Sequence, residues 1–162
     1  MSKMNLKPML AAVAVAGAFG AIALRYAWAT PAQDAIPTVI AGPVVVGSLD
    51  IKGETDTHEL ELVTKGPSQY IIVRFHIGPG GHTGWHSHPG PAFVMVKAGT
   101  LTLSYADDPN ARVDYPAGTG WVEEPGRVHI ARNEGDDAVE LDAFLLVPQG
   151  APLRIDEPEP QP

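Results

Sequence analysis

From residue 30 onward, no stretch of this chain keeps apolar residues at helical spacing for as many as eleven positions, and that exclusion constrains the fold more than any other feature. Two-residue alternation recurs instead. Residues 70–77 place Ile71, Val73, Phe75 and Ile77 on one face and Ile72, Arg74 and His76 on the other. Gly78-Pro79-Gly80-Gly81 is expected to end that strand. Further strands are expected at 92–97, 100–105, 112–115, 120–123, 128–133 and 139–147, with earlier candidates at 44–46 and 58–63. Seventeen Gly and sixteen Pro supply the turns between them, as in Pro116-Ala117-Gly118 and Pro125-Gly126. Short antiparallel strands at near-regular spacing predict an all-β sandwich or barrel.

The first residues follow other rules. Lys3 and Lys7 precede an apolar run from Met9 to Leu24, which is followed by Ala27-Trp28-Ala29. A basic start, an apolar stretch and an Ala-x-Ala step describe a secretory signal peptide, residues 1–29. The expected location is therefore periplasmic or secreted. The alternative is a retained membrane anchor, although the apolar run is short of the ~20 residues a spanning helix needs. Residues 30–43 read as a leader strand or linker, 44–150 as the barrel, and 151–162 as a disordered acidic, Pro-rich tail. No membrane contact is expected after cleavage.

The chain of 162 residues carries 19 Asp and Glu against 11 Lys and Arg, a net charge of −8. That balance argues against nucleic-acid binding, which draws on clustered cations. The absence of cysteine removes disulfides, zinc–thiolate sites, Fe–S clusters and thiol nucleophiles.

Six histidines are present, four of them between positions 76 and 88. In His86-Ser87-His88 the alternate residues of a strand face one side, with Cα atoms about 6.6 Å apart. Their imidazoles are able to converge on one ion at about 2.0–2.2 Å per nitrogen. A third ligand must come from a neighbouring strand, and His129 is the natural supplier. His58, alone in its strand, reads as an ordinary hydrogen-bonded histidine.

The glycines around these residues carry a resemblance. The segment from Gly80 through His86 and His88 to Gly99 resembles the first cupin motif, and Gly118, Gly126, His129 and Asn133 fall in register with the second. Glu124 stands where that family has a proline, with Pro125 beside it to keep the turn. Ala92, or Phe93 on the longer motif spacing, stands where the family has its metal-binding glutamate. The resemblance covers about residues 70–147 and implies an antiparallel double-sheet jelly-roll barrel. It also implies one divalent transition metal (Fe, Cu, Zn, Ni or Mn) held by His86, His88 and His129. Without the carboxylate, the unneutralised ion favours an anionic or enolisable small-molecule substrate. His82 is a candidate fourth ligand or acid/base group, with an exposed loop histidine as the alternative. Arg74 and His76 are candidates for the catalytic pocket if strand parity carries across, a satisfied ion pair or an exposed strand face being the alternative.

Three functions follow: a dioxygenase-like metal-dependent oxidoreductase, a non-catalytic metal or small-ligand binding or sensor protein, and a zinc hydrolase, lyase or isomerase with Glu123 or Glu124 as base. Trp85 and Trp121 are candidates for the pocket wall or for plain core. Inward Ala92, Val94 and Val96 leave Phe93 and Met95 outward, either in a homodimer joined by sheet packing or under the leader strand.

Overall fold

The computed structural model describes residues 29–108 and 111–160. The segment read as a signal peptide lies outside the described residues but for Ala29. The described residues form twelve strands: β1 (Gln33–Gly47), β2 (Asp50–Glu54), β3 (Glu59–Val63), β4 (Ser68–His82), β5 (His86–Ser87), β6 (Ala92–Ala98), β7 (Thr100–Tyr105), β8 (Arg112–Pro116), β9 (Gly120–Glu123), β10 (His129–Arg132), β11 (Val139–Pro148) and β12 (Ile155–Asp156). There is no helix among the described residues. Strands β2 and β3 form a separate hairpin; the other ten form one antiparallel sheet, ordered β12-β5-β10-β4-β11-β6-β9, with β1 added to β4 and β7–β8 added to β10. The sheet curls into a nearly closed barrel of the jelly-roll type.

The alternation in the sequence becomes the inside and outside of this barrel. Strand β4 pairs with β11 without a slip from Ser68↔Pro148 to Ile77↔Val139, and β11 pairs with β6, which pairs with β9. Inward side chains line up across these four strands. One row runs Val73, Ala143, Val94, Trp121; the next runs Ile71, Leu145, Ala92, Glu123. Directly opposed apolar pairs on one face are what hold such a sheet in register. On β6, Ala92, Val94 and Val96 are buried while Phe93 and Met95 are 48% and 53% exposed on the outer face.

Three expectations on boundaries are corrected. The Gly78–Gly81 segment does not end β4, which continues to His82. Asn133 takes the place of a sheet neighbour there: its Nδ2 donates to the Ile77 carbonyl at 3.0 Å, and backbone bonds join Gly80 and Gly81 to Asn133. A Cβ on Gly81 would stand 2.8 Å from the Asp34 carbonyl oxygen, so the glycine lets β1 close over this part of β4. Second, the supposed boundary between 43 and 44 falls inside β1, which pairs with β4 along its whole length through several bulges.

Third, the described part of the tail, 151–160, is not free. Strand β12 pairs with β5, the Glu157 amide donates to the Trp85 carbonyl, and the Ser87 hydroxyl donates to the Glu157 carboxylate at 2.9 Å. An acidic, Pro-rich segment buries little apolar surface, but it adds readily as a short edge strand when its backbone and carboxylates find hydrogen-bond partners.

Candidate metal centre

The two cupin-like histidine segments meet at one end of the barrel. The chain leaves β4 at His82, turns through Gly84 at φ 72°, and enters β5 at His86. Strand β10 lies beside β5, with His129 opposite His86. The Pro125-Gly126 turn is tied back to the first segment by the Gly126 amide, which donates to the His88 carbonyl at 2.8 Å. Side chains of His86, His88 and His129 are buried, and one ligating nitrogen of each lies within 4.8 Å of the others.

Each ring has one nitrogen committed to backbone. His86 Nδ1 meets the Gly84 carbonyl at 2.8 Å, His88 Nδ1 the Leu153 carbonyl at 2.6 Å, and His129 Nδ1 the Arg127 carbonyl at 2.8 Å. A carbonyl only accepts, so the partners assign the proton to Nδ1 in all three rings. In a neutral ring that leaves Nε2 with a free lone pair, the arrangement by which backbone carbonyls orient metal-ligating histidines. Arg127 is itself pinned, with its guanidinium 3.7 Å from the centre of the Tyr105 ring and 3.1 Å from Asp107 Oδ2, which steadies the carbonyl that orients His129.

The electrostatics agree. Burial, reinforced by the positive charge of His129, Arg154 and His88, pushes His86 down to about 3, so its ring stays neutral and able to ligate at neutral pH. Glu123 is buried beside the rings, 3.1 Å from His88 Nε2 and 3.2 Å from His129 Nε2. Burial would raise its pKa, but the close approach of His129 and His88 and the positive charge they can carry outweigh that and hold the carboxyl far below the ordinary range. Burial lowers His129 in turn, and the close approach of the Glu123 carboxylate with its charge more than reverses this.

His129 Nε2 is fully buried with no geometrically sound hydrogen bond despite that 3.2 Å approach. A lone pair and a carboxylate oxygen facing each other in the barrel interior call for a positive charge between or beside them. A proton meets that need, and so does a divalent cation. Three buried, tautomerically fixed imidazoles, one of them orphaned, fit a transition metal, and nitrogen donors suit Zn, Cu, Fe and Ni.

The site opens on a cavity of about 340 Å³. Its walls are mainly apolar, among them Val73, Phe75, Val94, Leu141 and Leu145, and His86, His88 and Glu123 stand at one end. Trp121 is part of the wall and donates its Nε1 hydrogen to Glu123 Oε1 at 3.2 Å. Trp85 is buried outside the lining. Arg154 reaches the cavity, but its guanidinium is already bonded to Asp156 at 2.7 Å and to the Thr83 carbonyl at 2.9 Å.

Three of the candidate residues do not join the site. Arg74 bonds to Asp142 at 2.7 and 2.9 Å and lies 3.1 Å from Glu140, away from the cavity lining. His76 is exposed opposite Glu140. On β4 the inward set is Ile71, Val73, Phe75 and Ile77; the turn at 83–85 resets the alternation before β5, so the parity of His86 does not carry back. His82 accepts a hydrogen bond at Nδ1 from the Gly84 amide at 3.1 Å and is not part of the lining, so it braces the turn leading to His86. Glu124 is exposed and lies 3.6 Å from Arg127, which leaves Glu123 as the acid at the site. Sequence reasoning reached Glu123 only as a base; the cue to its inward orientation was its parity with Trp121 on β9. Nothing in the sequence pointed to the Leu153 carbonyl.

A curled antiparallel barrel with a histidine cluster buried at one end is the architecture of a small single-barrel protein with an internal ligand site. Residues 73–148 match the family Cupin_2, "Cupin domain", and the chain thus carries a domain of the cupin family. Among solved structures it is similar to a cupin-2 domain protein of Rhodospirillum rubrum, at 16% identity and a TM-score of 0.54 over 80% of this chain and 69% of that one. It also resembles a cupin domain protein of Bordetella pertussis (19% identity, TM-score 0.48, 70% of this chain and 94% of the other). A Klebsiella pneumoniae protein with a double-stranded beta-helix domain is 25% identical, with a TM-score of 0.47 over 54% of this chain and 75% of that one. No curated protein matches significantly.

Proposed function

We propose that this protein is an exported, mononuclear metal-dependent oxidoreductase of the dioxygenase-like kind, acting on a small enolisable molecule with an apolar body. The observation that carries the reading is the shared tautomer of His86, His88 and His129, which leaves three buried Nε2 lone pairs in one cluster, with His86 and His88 lining an apolar cavity. A divalent ion there would supply Lewis acidity toward an oxygen donor and, if redox-active, one-electron chemistry toward dioxygen. The protein's own part is to hold, orient and exclude. The backbone carbonyls of Gly84, Arg127 and Leu153 fix the rings, and the aliphatic walls keep bulk water from the reacting end. Trp121 and Phe75 bring aromatic rings to the cavity lining. Arg154 is engaged with Asp156 and Thr83, so the walls hold no unengaged cation for a carboxylate among the described residues. This favours a weakly acidic enol over a strongly anionic substrate. The basic start, apolar run and Ala27-Trp28-Ala29 step support export.

One observation favours a binding or sensor role instead: with His76, His82 and Arg74 outside the lining, Glu123, His86 and His88 are the acid–base side chains at the cavity among the described residues. Oxygen consumption by Fe- or Cu-loaded protein, assayed with diketones, flavonols and catechols, separates the two. Turnover that disappears in His88→Ala is expected. Tight metal binding with no oxygen uptake on any of these compounds would move the assignment to the binding role.

A further inference from the structure

Glu123 makes more contacts at the site than a bystander would need. Its side chain is 7% exposed, with Oε2 3.1 Å from His88 Nε2 and Oε1 3.2 Å from His129 Nε2. One indole N–H, from Trp121, is the only neutral donor bonded to it among the described residues. An ionised carboxylate in such surroundings is costly unless a cation compensates it. The two rings beside it have already committed their Nδ1 hydrogens to backbone carbonyls, so as neutral rings they offer it lone pairs and no hydrogen.

The distances fit a different relationship. Two atoms bound side by side to one ion at about 2.1 Å stand about 3.0 Å apart in an octahedral site and about 3.4 Å apart in a tetrahedral one. Both oxygen–nitrogen separations fall inside that range. The local structure also makes room for the group. Glu123 on β9 is the cross-strand partner of Ala92 on β6, and the fully buried alanine methyl leaves the inward space beside it to the longer side chain.

The geometry points to Glu123 as a fourth protein ligand of the metal, an anionic one supplied from β9. This rests on the metal-centre reading above and deepens it: the centre would be three imidazoles and one carboxylate, with net charge near +1 and not +2 for a divalent ion. A bound enolate would then complete neutrality without any cation from the walls.

Titration of the metal-free protein with Co²⁺ and with Zn²⁺, followed by calorimetry and by the visible cobalt absorption, tests the assignment. The wild type is expected to bind one ion per chain. Glu123→Gln should bind at least about tenfold more weakly, with a changed cobalt spectrum; Glu123→Asp should recover part of both. Glu124→Gln, at an exposed neighbour, should match the wild type. Should Glu123→Gln fail to fold, Glu123→Asp alone must still show a displaced cobalt spectrum. Wild-type affinity together with an unchanged spectrum in the Glu123 variants would overturn the ligand assignment while leaving the three-histidine centre intact. Failure of the wild type to bind either ion would overturn both.

Discussion

Each histidine of the centre uses its two ring nitrogens for opposite duties, and the carbonyl on Nδ1 decides what Nε2 can do. In the metal-free protein the pair most exposed to loss is His129 and Glu123, because both are buried and each compensates the other. His129→Ala should destabilise the metal-free fold by about 3–5 kcal/mol, the usual penalty for stranding one member of a buried pair. The double variant with Glu123→Gln should recover part of that, as urea unfolding of the four proteins would show; strictly additive losses would deny the coupling. A second residue-scale effect concerns acid. The His86 ring takes up a proton near pH 6.5 when unfolded but only near about 3 when folded. The unfolded state therefore binds more protons across that window, and stability falls as the pH drops through it. Between pH 6.5 and 5, where most carboxylates stay ionised, His86→Asn should show a shallower decline in urea midpoint than the wild type. At this scale the histidines were legible because their spacing and the glycines in register around them resemble the two cupin motifs. Arg74 and His76 were not, because strand parity fails at a turn that only the folded chain reveals, and His82 was not, because its ring turns to the Gly84 amide. Glu123 declares its role only when Ala92 is seen opposite it.

At the scale of elements, the inward and outward faces of β4, β6 and β11 follow the alternation written in their residues. Two features lay beyond that rule. Strand β4 passes through Gly78-Pro79-Gly80-Gly81 because Asn133, from a distant segment, bonds to the backbone there. The tail adds to β5 as β12 because the Trp85 carbonyl accepts from the Glu157 amide and the Ser87 hydroxyl donates to the Glu157 carboxylate. Both depend on long-range partners that local composition does not encode. The tail also reaches the chemistry, since Leu153 supplies the carbonyl that orients His88. Ending the chain at Gly150 removes that carbonyl, β12 and the Glu157 contact together. The truncated barrel should still unfold cooperatively, since its core lies in the β4–β11–β6 sheet, yet hold its metal roughly tenfold more weakly. Competition with a chromophoric chelator measures the difference; unchanged affinity would mean that the tail has no part in orienting His88.

The molecule as a whole joins an apolar cavity of about 340 Å³ to a polar cluster at one end. The barrel holds the histidine segments together through β5, β10 and the Gly126–His88 link, while β4, β6, β9 and β11 form the greasy wall. Size, fold class and the placing of two histidine segments on neighbouring strands were all legible in the residue pattern. The cavity's small share of unengaged charge was not, because it arises from Arg154 turning back to Asp156 and Thr83. The most direct test of the account is anomalous diffraction from crystals of the chain grown with Co²⁺ or Zn²⁺. A single strong peak about 2.0–2.2 Å from the Nε2 atoms of His86, His88 and His129 is the predicted result. An ion bound elsewhere, or those three rings turned apart with no peak between them, would contradict it.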